Sequence, residues 1–172
     1  MDEATAQFVA EQGTFVVPTV VIVFALAELG EKLGVRAESR EKARHVRKQI
    51  LQGLECMRRA GVRVGFGTDL LGETYVQQCR EFTIRKEIFS PLEILRQATS
   101  TNAAILQQEG KLGCVKPGAH ADLLVVDGDP LKDIELLAPA LSNTRLHAAG
   151  GRVFVCHFGY SGVTQCCGAR QN

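Results

Sequence analysis

Tryptophan is absent from this chain and tyrosine occurs only twice. The aromatic platform on which single-stranded nucleic acid stacks therefore has little to build on. An excess of charge of one sign is also missing. Lys plus Arg number 20 and Asp plus Glu 19, for a net charge of +1. That balance removes the basic footprint expected of a nucleic-acid binder or of a helix lying on an anionic membrane. No long hydrophobic run is present either. The most apolar stretch, Phe15 to Ala27, contains Pro18 and Thr19 and falls short of the roughly 18 residues a membrane span wants. The first residues, Met1-Asp2-Glu3-Ala4-Thr5, are acidic, where a signal peptide is basic. The expectation is a cytoplasmic protein without nucleic-acid or membrane partners.

Paired cysteine motifs are lacking too. The six cysteines are Cys56, Cys79, Cys114, Cys156, Cys166 and Cys167, and none forms a C-x-x-C pair. Cys156-His157 followed by Cys166-Cys167 matches no standard zinc-knuckle spacing. Free, mostly buried thiols in a reducing compartment are the simpler reading.

What is present is a globular mixture, 45% hydrophobic and 23% charged over 172 residues, enough for a core of domain size. Residues 3–12 read as a short helix with Ala4, Phe8 and Val9 on one side. Thr14 to Val17 is a β-rich run stopped by Pro18. The strongest helical signal covers 39–60, where Ala43, Val46, Ile50, Leu54 and Met57 recur at three- and four-residue steps and Gly61 follows as a cap. Val62 to Gly67 alternates as a strand. Residues 75–88 read as a helix with Val76, Cys79 and Phe82 in phase. Ser90-Pro91-Leu92-Glu93 is a capping-box start for a helix to about Ala98, and Thr101-Asn102 opens another. After Gly110 the texture turns to glycine, proline and β-rich runs, with strands expected at Ala121–Asp127 and Arg152–Cys156. Three segments result: an α/β part over 1–110, a β part over 111–157, and a tail over 158–172 without periodicity, expected to be disordered.

The alternation of helix and strand before residue 110 suits βα units of a parallel sheet. Only two clear strands lie there, too few to close a barrel, which usually takes about 250 residues. Asp69 stands out because it follows the strand Val62–Gly67 directly after Gly67-Thr68. In a βα barrel that end carries the chemistry. A carboxylate there can bind a divalent metal or take a proton from water. Many strand-end aspartates instead cap the next turn or helix, so position alone leaves both roles open. Glu73, four residues on, can form a carboxylate pair with Asp69 or stand solvated in its loop. Gln77, Gln78 and Glu81 follow on the next helix, as substrate contacts or as ordinary surface groups. Gly65-x-Gly67 followed by Gly72 does not have phosphate-loop spacing.

An ordered set of blocks adds to this reading. It comprises Ala60-Gly-Val-Arg-Val-Gly-Phe-Gly-Thr-Asp69, Ser90-Pro-Leu-Glu-Ile-Leu-Arg-Gln-Ala-Thr99, Asn102-Ala-Ala, Lys111-Leu-Gly113 and Lys116-Pro-Gly-Ala-His-Ala-Asp-Leu-Leu-Val-Val-Asp-Gly-Asp-Pro-Leu131. In that order the blocks resemble the C-terminal part of the metal-dependent amidohydrolases, in particular the imidazolonepropionase-like and Xaa-Pro dipeptidase-like members. The likeness runs over roughly residues 2 to 156. It implies an α/β fold: the C-terminal part of a (β/α)8 TIM-type barrel, then the C-terminal share of a small β-sandwich. Thr14–Thr19 would be strand seven and Val62–Thr68 strand eight. Asp69 would be the aspartate that binds the buried metal, zinc in expectation, and shuttles a proton between the attacking water and the leaving group. Asp122 would belong to the fold signature and not to the chemistry. The implied activity is hydrolysis of an amide, peptide or cyclic C–N bond in a small or dipeptide-like substrate, with room for a homo-oligomer. No residue is assigned to substrate binding.

The departures are as informative. The family's His-x-His motif and its other metal-binding histidines have no counterpart. The four histidines, His45, His120, His147 and His157, match none of its ligand positions. Since a catalytic zinc wants about three protein ligands, the chain by itself is expected to bind metal weakly, to hydrolyse little and to be a fragment of a larger enzyme. The alternative is a non-catalytic remnant or binding module that keeps the fold signature. Strand eight would lack a neighbour on one side, so poor stability or self-association is expected.

Overall fold

A computed structural model of the chain describes residues 1–138, apart from the side chain of Lys48, together with the backbone of strands 144–149, 152–156 and 166–167. The first helix, α1 (Glu3–Glu11), is capped by Asp2, whose carboxylate accepts from the Thr5 amide at 2.8 Å. Its buried side is Ala6, with Val9 and Ala10 packed on the core, and Phe8 is 61% exposed. The expected stripe of Ala4, Phe8 and Val9 is thus rotated. The small Ala6 faces α3 (Ala37–Arg59), and Glu3 pairs with Arg59 at 3.1 Å.

Strand β1 (Phe15–Val16) ends before Pro18 and pairs in parallel with β2 (Arg63–Val64), Phe15 opposite Arg63 and Val16 opposite Val64. The Gly65 amide extends this ladder to the Val16 carbonyl at 2.8 Å. Between them runs α2 (Val20–Leu29), a helix that sequence periodicity did not indicate, followed by α3. Its sequence VVIVFALAEL is apolar nearly throughout, and a continuous apolar run does not distinguish strand from helix. Val20, Val21, Phe24 and Ala25 are buried, and α2 packs on α3. Along α3 the expected stripe is realised at Ala43, Leu54 and Met57, while Val46 is 43% exposed. The helix ends as expected at Gly61, in the left-handed region at φ +73°. Gly61 N–H donates to Arg58 and Val62 N–H to Met57, the paired bonds of a Schellman ending.

The single helix expected over 75–88 is broken. A 3-10 turn covers Gly72–Gln77, and α4 runs over Arg80–Arg85. The Thr74 hydroxyl donates to the Leu71 carbonyl at 2.7 Å and accepts from the Leu71 amide at 3.0 Å, which tightens the first turn and leaves Val76 exposed. Phe82 stacks on Phe66 at 4.5 Å between ring centroids. The capping box at Ser90 and Glu93 forms as read from the sequence, Ser90 N–H donating to the Glu93 carboxylate at 2.7 Å. Helix α5 (Pro91–Arg96) continues through a π turn (Gln97–Thr101) into α6 (Asn102–Ile105).

Beyond residue 110, β3 (Leu123–Val126), β4 (Thr144–Ala149), β5 (Arg152–Cys156) and β6 (Cys166–Cys167) form an antiparallel sheet in that order. Strand β5 coincides with the expected one, whereas β4 carried no clear strand signal. The tail expected over 158–172 lies outside the described residues except for Cys166–Cys167, which pair with β5. A short 3-10 turn (Ile134–Leu137) places Ile134, fully buried, in one cluster with Leu54, Ile84 and Ile94. No described helix is long and apolar enough to cross a membrane. The described cysteines Cys56, Cys79 and Cys114 are free and half-buried.

Candidate active site at the ends of the parallel strands

Asp69 lies five residues past Val64, the last residue of β2, and is exposed. Its φ is +52°, and among the described residues it shares the left-handed region with only one other non-glycine, Gln107. Aspartate tolerates this conformation better than most residues. A non-glycine held there is a feature that clusters at functional sites.

A buried polar network holds the start of the segment that leads to Asp69. Glu81 and Arg85 on α4 are both fully buried and paired at 2.7 Å. The expectation that Glu81 stands at the surface or faces substrate is therefore corrected: it points inward. Its carboxylate accepts from the Val21 amide at 2.7 Å and, more loosely, from Val20 at 3.5 Å. These are the first amides of α2, whose own N-cap residue Thr19 makes no side-chain bond. A carboxylate is favoured there by the exposed amides and the helix dipole. Arg85 donates to four acceptors: Glu81 through Nε, the Gly65 carbonyl at 2.9 Å, the Gln97 side-chain oxygen at 2.7 Å and the Pro18 carbonyl at 2.8 Å. Its guanidinium also lies 4.8 Å from the centre of the Phe66 ring. Burial pushes the Glu81 carboxyl up from its ordinary value, against the opposing pull of Arg85 and the two amides. Burial likewise lowers the Arg85 guanidinium, against the pull of Glu81, and an arginine remains charged.

The segment leading to Asp69 is also held from the side. Asn102 donates to the Phe66 carbonyl at 2.8 Å and accepts from its amide at 2.9 Å. Gly65 and Gly67 let neighbours close in. A Cβ on Gly65 would collide with Ile105 and lie 2.8 Å from the Asn102 side-chain oxygen, and one on Gly67 would lie 2.8 Å from a Val17 methyl.

Other candidate residues are not gathered here. Glu73 is exposed on the 3-10 turn. Gln77 accepts from Arg80 at 3.1 Å, and Gln78 is exposed. His45 is exposed beside Gln49, His120 is exposed in the loop before β3, and Asp122 is exposed next to that strand. His147 falls within β4, and His157 lies outside the described residues. Among the described residues, no group of three His, Cys, Asp or Glu side chains could hold a metal ion. Since about three protein ligands are the usual minimum, these residues do not fit a metal centre by themselves. A pocket of about 380 Å3 lined by Phe15, Arg58, Arg63 and Arg96 lies at the opposite, starting ends of β1 and β2, where barrel chemistry is not found.

The sequence singled out Asp69 but gave no role to Arg85, Gln97 or Asn102. One signal was available: Glu81 and Arg85, four residues apart, bracket the apolar Phe82 and Ile84 and so share one helix face.

Comparison with known proteins bears on the same region. Residues 2–153 match the profile of the amidohydrolase family. An ochratoxinase of Aspergillus niger is 28% identical over 157 residues, which are 89% of this chain and 32% of that protein. A prolidase crystallised with N-methylphosphonate-L-proline superposes with a TM-score of 0.86 at 42% identity, over 90% of this chain and 38% of that one. An Xaa-Pro dipeptidase with methionine bound in its active site superposes with a TM-score of 0.78 at 29% identity, over the same shares. This chain thus spans about a third of the length of the relatives it matches. Such neighbours imply a TIM-barrel-type fold.

Proposed function

The chain belongs to the amidohydrolase family, with relatives in its Xaa-Pro dipeptidase-like branch, and from that premise we propose that it is part of a hydrolase that cleaves C–N bonds of small, dipeptide-like substrates. The observation that carries this is the placement of Asp69, exposed at the C-terminal end of β2 on a segment fixed by Arg85 and Asn102. In this reading β1 and β2 are barrel strands seven and eight, residues 1–110 are barrel, and 111–157 are a share of the sandwich. Asp69 accepts a proton from the attacking water and returns it to the leaving nitrogen, work suited to a carboxylate within hydrogen-bond reach of the reacting atoms. The prolidase and dipeptidase neighbours support a peptide-like substrate.

The family is generally metal-dependent. Asp69 is the one side chain here that we assign to a divalent ion, zinc by expectation, and a single carboxylate does not hold it. The 172 residues alone are accordingly expected to be inactive. We place the protein in the cytoplasm, without nucleic-acid or membrane partners, and as a potential homo-oligomer.

The test compares the 172-residue chain with the longest reading frame that contains it. Both are assayed for hydrolysis of Xaa-Pro dipeptides and for metal content. The longer frame is expected to be active, and Asp69→Asn to abolish that activity and lower the bound metal. Unchanged activity and metal in Asp69→Asn would remove the assignment. A non-catalytic remnant predicts no turnover in either form.

A further inference from the structure

We propose that Arg85 is a positioning residue: its guanidinium joins the ends of both parallel strands to the helices behind them and so sets the aim of the segment that carries Asp69. The inference rests on the role given to Asp69 above. It goes further by naming what holds that carboxylate in place.

Three separate stretches of backbone or side chain converge on Arg85. The Pro18 carbonyl lies just past β1, the Gly65 carbonyl just past β2, and Gln97 on the π turn. The fourth acceptor, Glu81, simultaneously takes the first amides of α2. A buried ion pair by itself is weak ground for stability, because desolvation offsets most of its attraction. The arrangement makes better sense as geometry. Arginine has a planar fork of five donors, and the three acceptors besides Glu81 include both strand ends. A lysine ammonium carries the same charge but cannot reproduce that fork. The consequence for Asp69 follows from chain length. Gly65 is held by Arg85, Phe66 by Asn102, and only Gly67 and Thr68 separate that anchored pair from Asp69. Gly67 itself is boxed in by Val17 and Thr19. The left-handed backbone of Asp69 therefore has little slack on its N-terminal side.

The experiment uses the 172-residue chain carrying Leu124→Lys, which places a charge on the exposed edge of β3, and amide-resolved NMR. Arg85→Lys keeps the charge and removes the fork. Arg80→Lys, on the same helix but paired to Glu28 on the outside, is the control. The reporters are hydrogen exchange at the Gly65 and Phe66 amides and the amide and Cα shifts of Asp69, set against exchange at Leu54 and Val62 in and after α3. In Arg85→Lys, Gly65 and Phe66 are expected to exchange roughly tenfold faster and the Asp69 resonances to move, while Leu54 and Val62 stay within about twofold. Arg80→Lys is expected to move none of them. Unmoved Gly65, Phe66 and Asp69 in Arg85→Lys would overturn the proposal. So would equal acceleration everywhere, which is the mark of a merely structural pair. Should Arg85→Lys fail to fold, Gln97→Met removes one acceptor while keeping the ion pair, and the same reporters decide in the same way. No substrate or metal enters the measurement, so its failure is distinct from a failure of the hydrolytic reading.

Discussion

Asn102 treats Phe66 as a strand partner would. Its side-chain amide donates to the Phe66 carbonyl at 2.8 Å and accepts from the Phe66 amide at 2.9 Å. That is the double exchange of an antiparallel pair, made by a side chain instead of a backbone. It gives β2 a polar partner beyond the reach of β1 and stops the ladder just before the Gly67–Asp69 turn.

Replacing Asn102 by alanine leaves both Phe66 groups without partners in a half-buried place. A loss of about 2 kcal/mol is expected, measured as a lower urea midpoint with an unchanged slope. Asn102→Asp keeps the acceptor but sets a carboxylate against the Phe66 carbonyl, and is expected to be no more stable than the alanine variant. Full stability in either would mean that the clasp contributes nothing.

Two glycines separate a steric requirement from a conformational one. Gly65→Ala drives a methyl group into Ile105 and to within 2.8 Å of the Asn102 oxygen, an overpacking that costs about 1–3 kcal/mol. At Gly61 a Cβ meets nothing within 4 Å, but φ is +73°. Gly61→Ala is therefore expected to cost about 1 kcal/mol from backbone strain alone. Thermal melts of the two variants should rank in that order.

Glu28 is gripped by Arg80 through both carboxylate oxygens, at 2.6 and 2.9 Å, and by Arg47 at 3.0 Å. The Arg80 hydrogen bonds chiefly hold its carboxyl below the ordinary value of 4.5. A carboxyl depressed on folding stabilises above its unfolded pKa, and that contribution is lost as pH falls through the folded one. Glu28→Gln should thus be less stable than the parent at pH 7, by less than about 1 kcal/mol because the pair is partly exposed. The two should converge as the pH is lowered beneath 4.5 and on past the depressed value. A gap independent of pH would contradict the linkage.

Among the described residues, β1 and β2 pair only with each other. Strand β3 is an edge that exposes Leu123, Leu124 and Val125. Open apolar edges invite pairing with further strands. Light scattering on the 172-residue chain is expected to give a mass above the 18.7 kDa of a monomer, and Leu124→Lys to reduce it. A monodisperse monomer with a sharp melt would contradict this.

Where the sequence was legible, local chemistry and tertiary packing agreed. The α3 stripe, the Gly61 ending and the Ser90 capping box rely on neighbours a few residues apart, and each forms as read save for the exposed Val46 of the stripe. Where it was opaque, the deciding partner lay far along the chain. Helix α2 carries β-branched residues and an unused N-cap, and its first amides are met by a carboxylate some 60 residues away. Phe8 repeats at helical spacing yet faces outward, because the small Ala6 makes the contact with the core. The carboxylate singled out at Asp69 could be located from strand and turn alone. The residues that anchor its approach could not, since Arg85 and Asn102 act on backbone atoms that no pattern of side chains records, and Gln97 acts through Arg85.

The π turn between α5 and α6 has a consequence for any length change in this family. Gln97 and Asn102 are five residues apart, a spacing that a regular α-helix would splay by about 140° and that a wider turn brings round to nearly one side. Deleting a single residue from 98–101 would let that turn close to a regular α-helix, in which the four remaining steps leave Gln97 and Asn102 only about 40° apart. A one-residue deletion there thus keeps both grips, on Arg85 and on Phe66, near one face, whereas five residues forced into a regular helix would uncouple the two anchors at once.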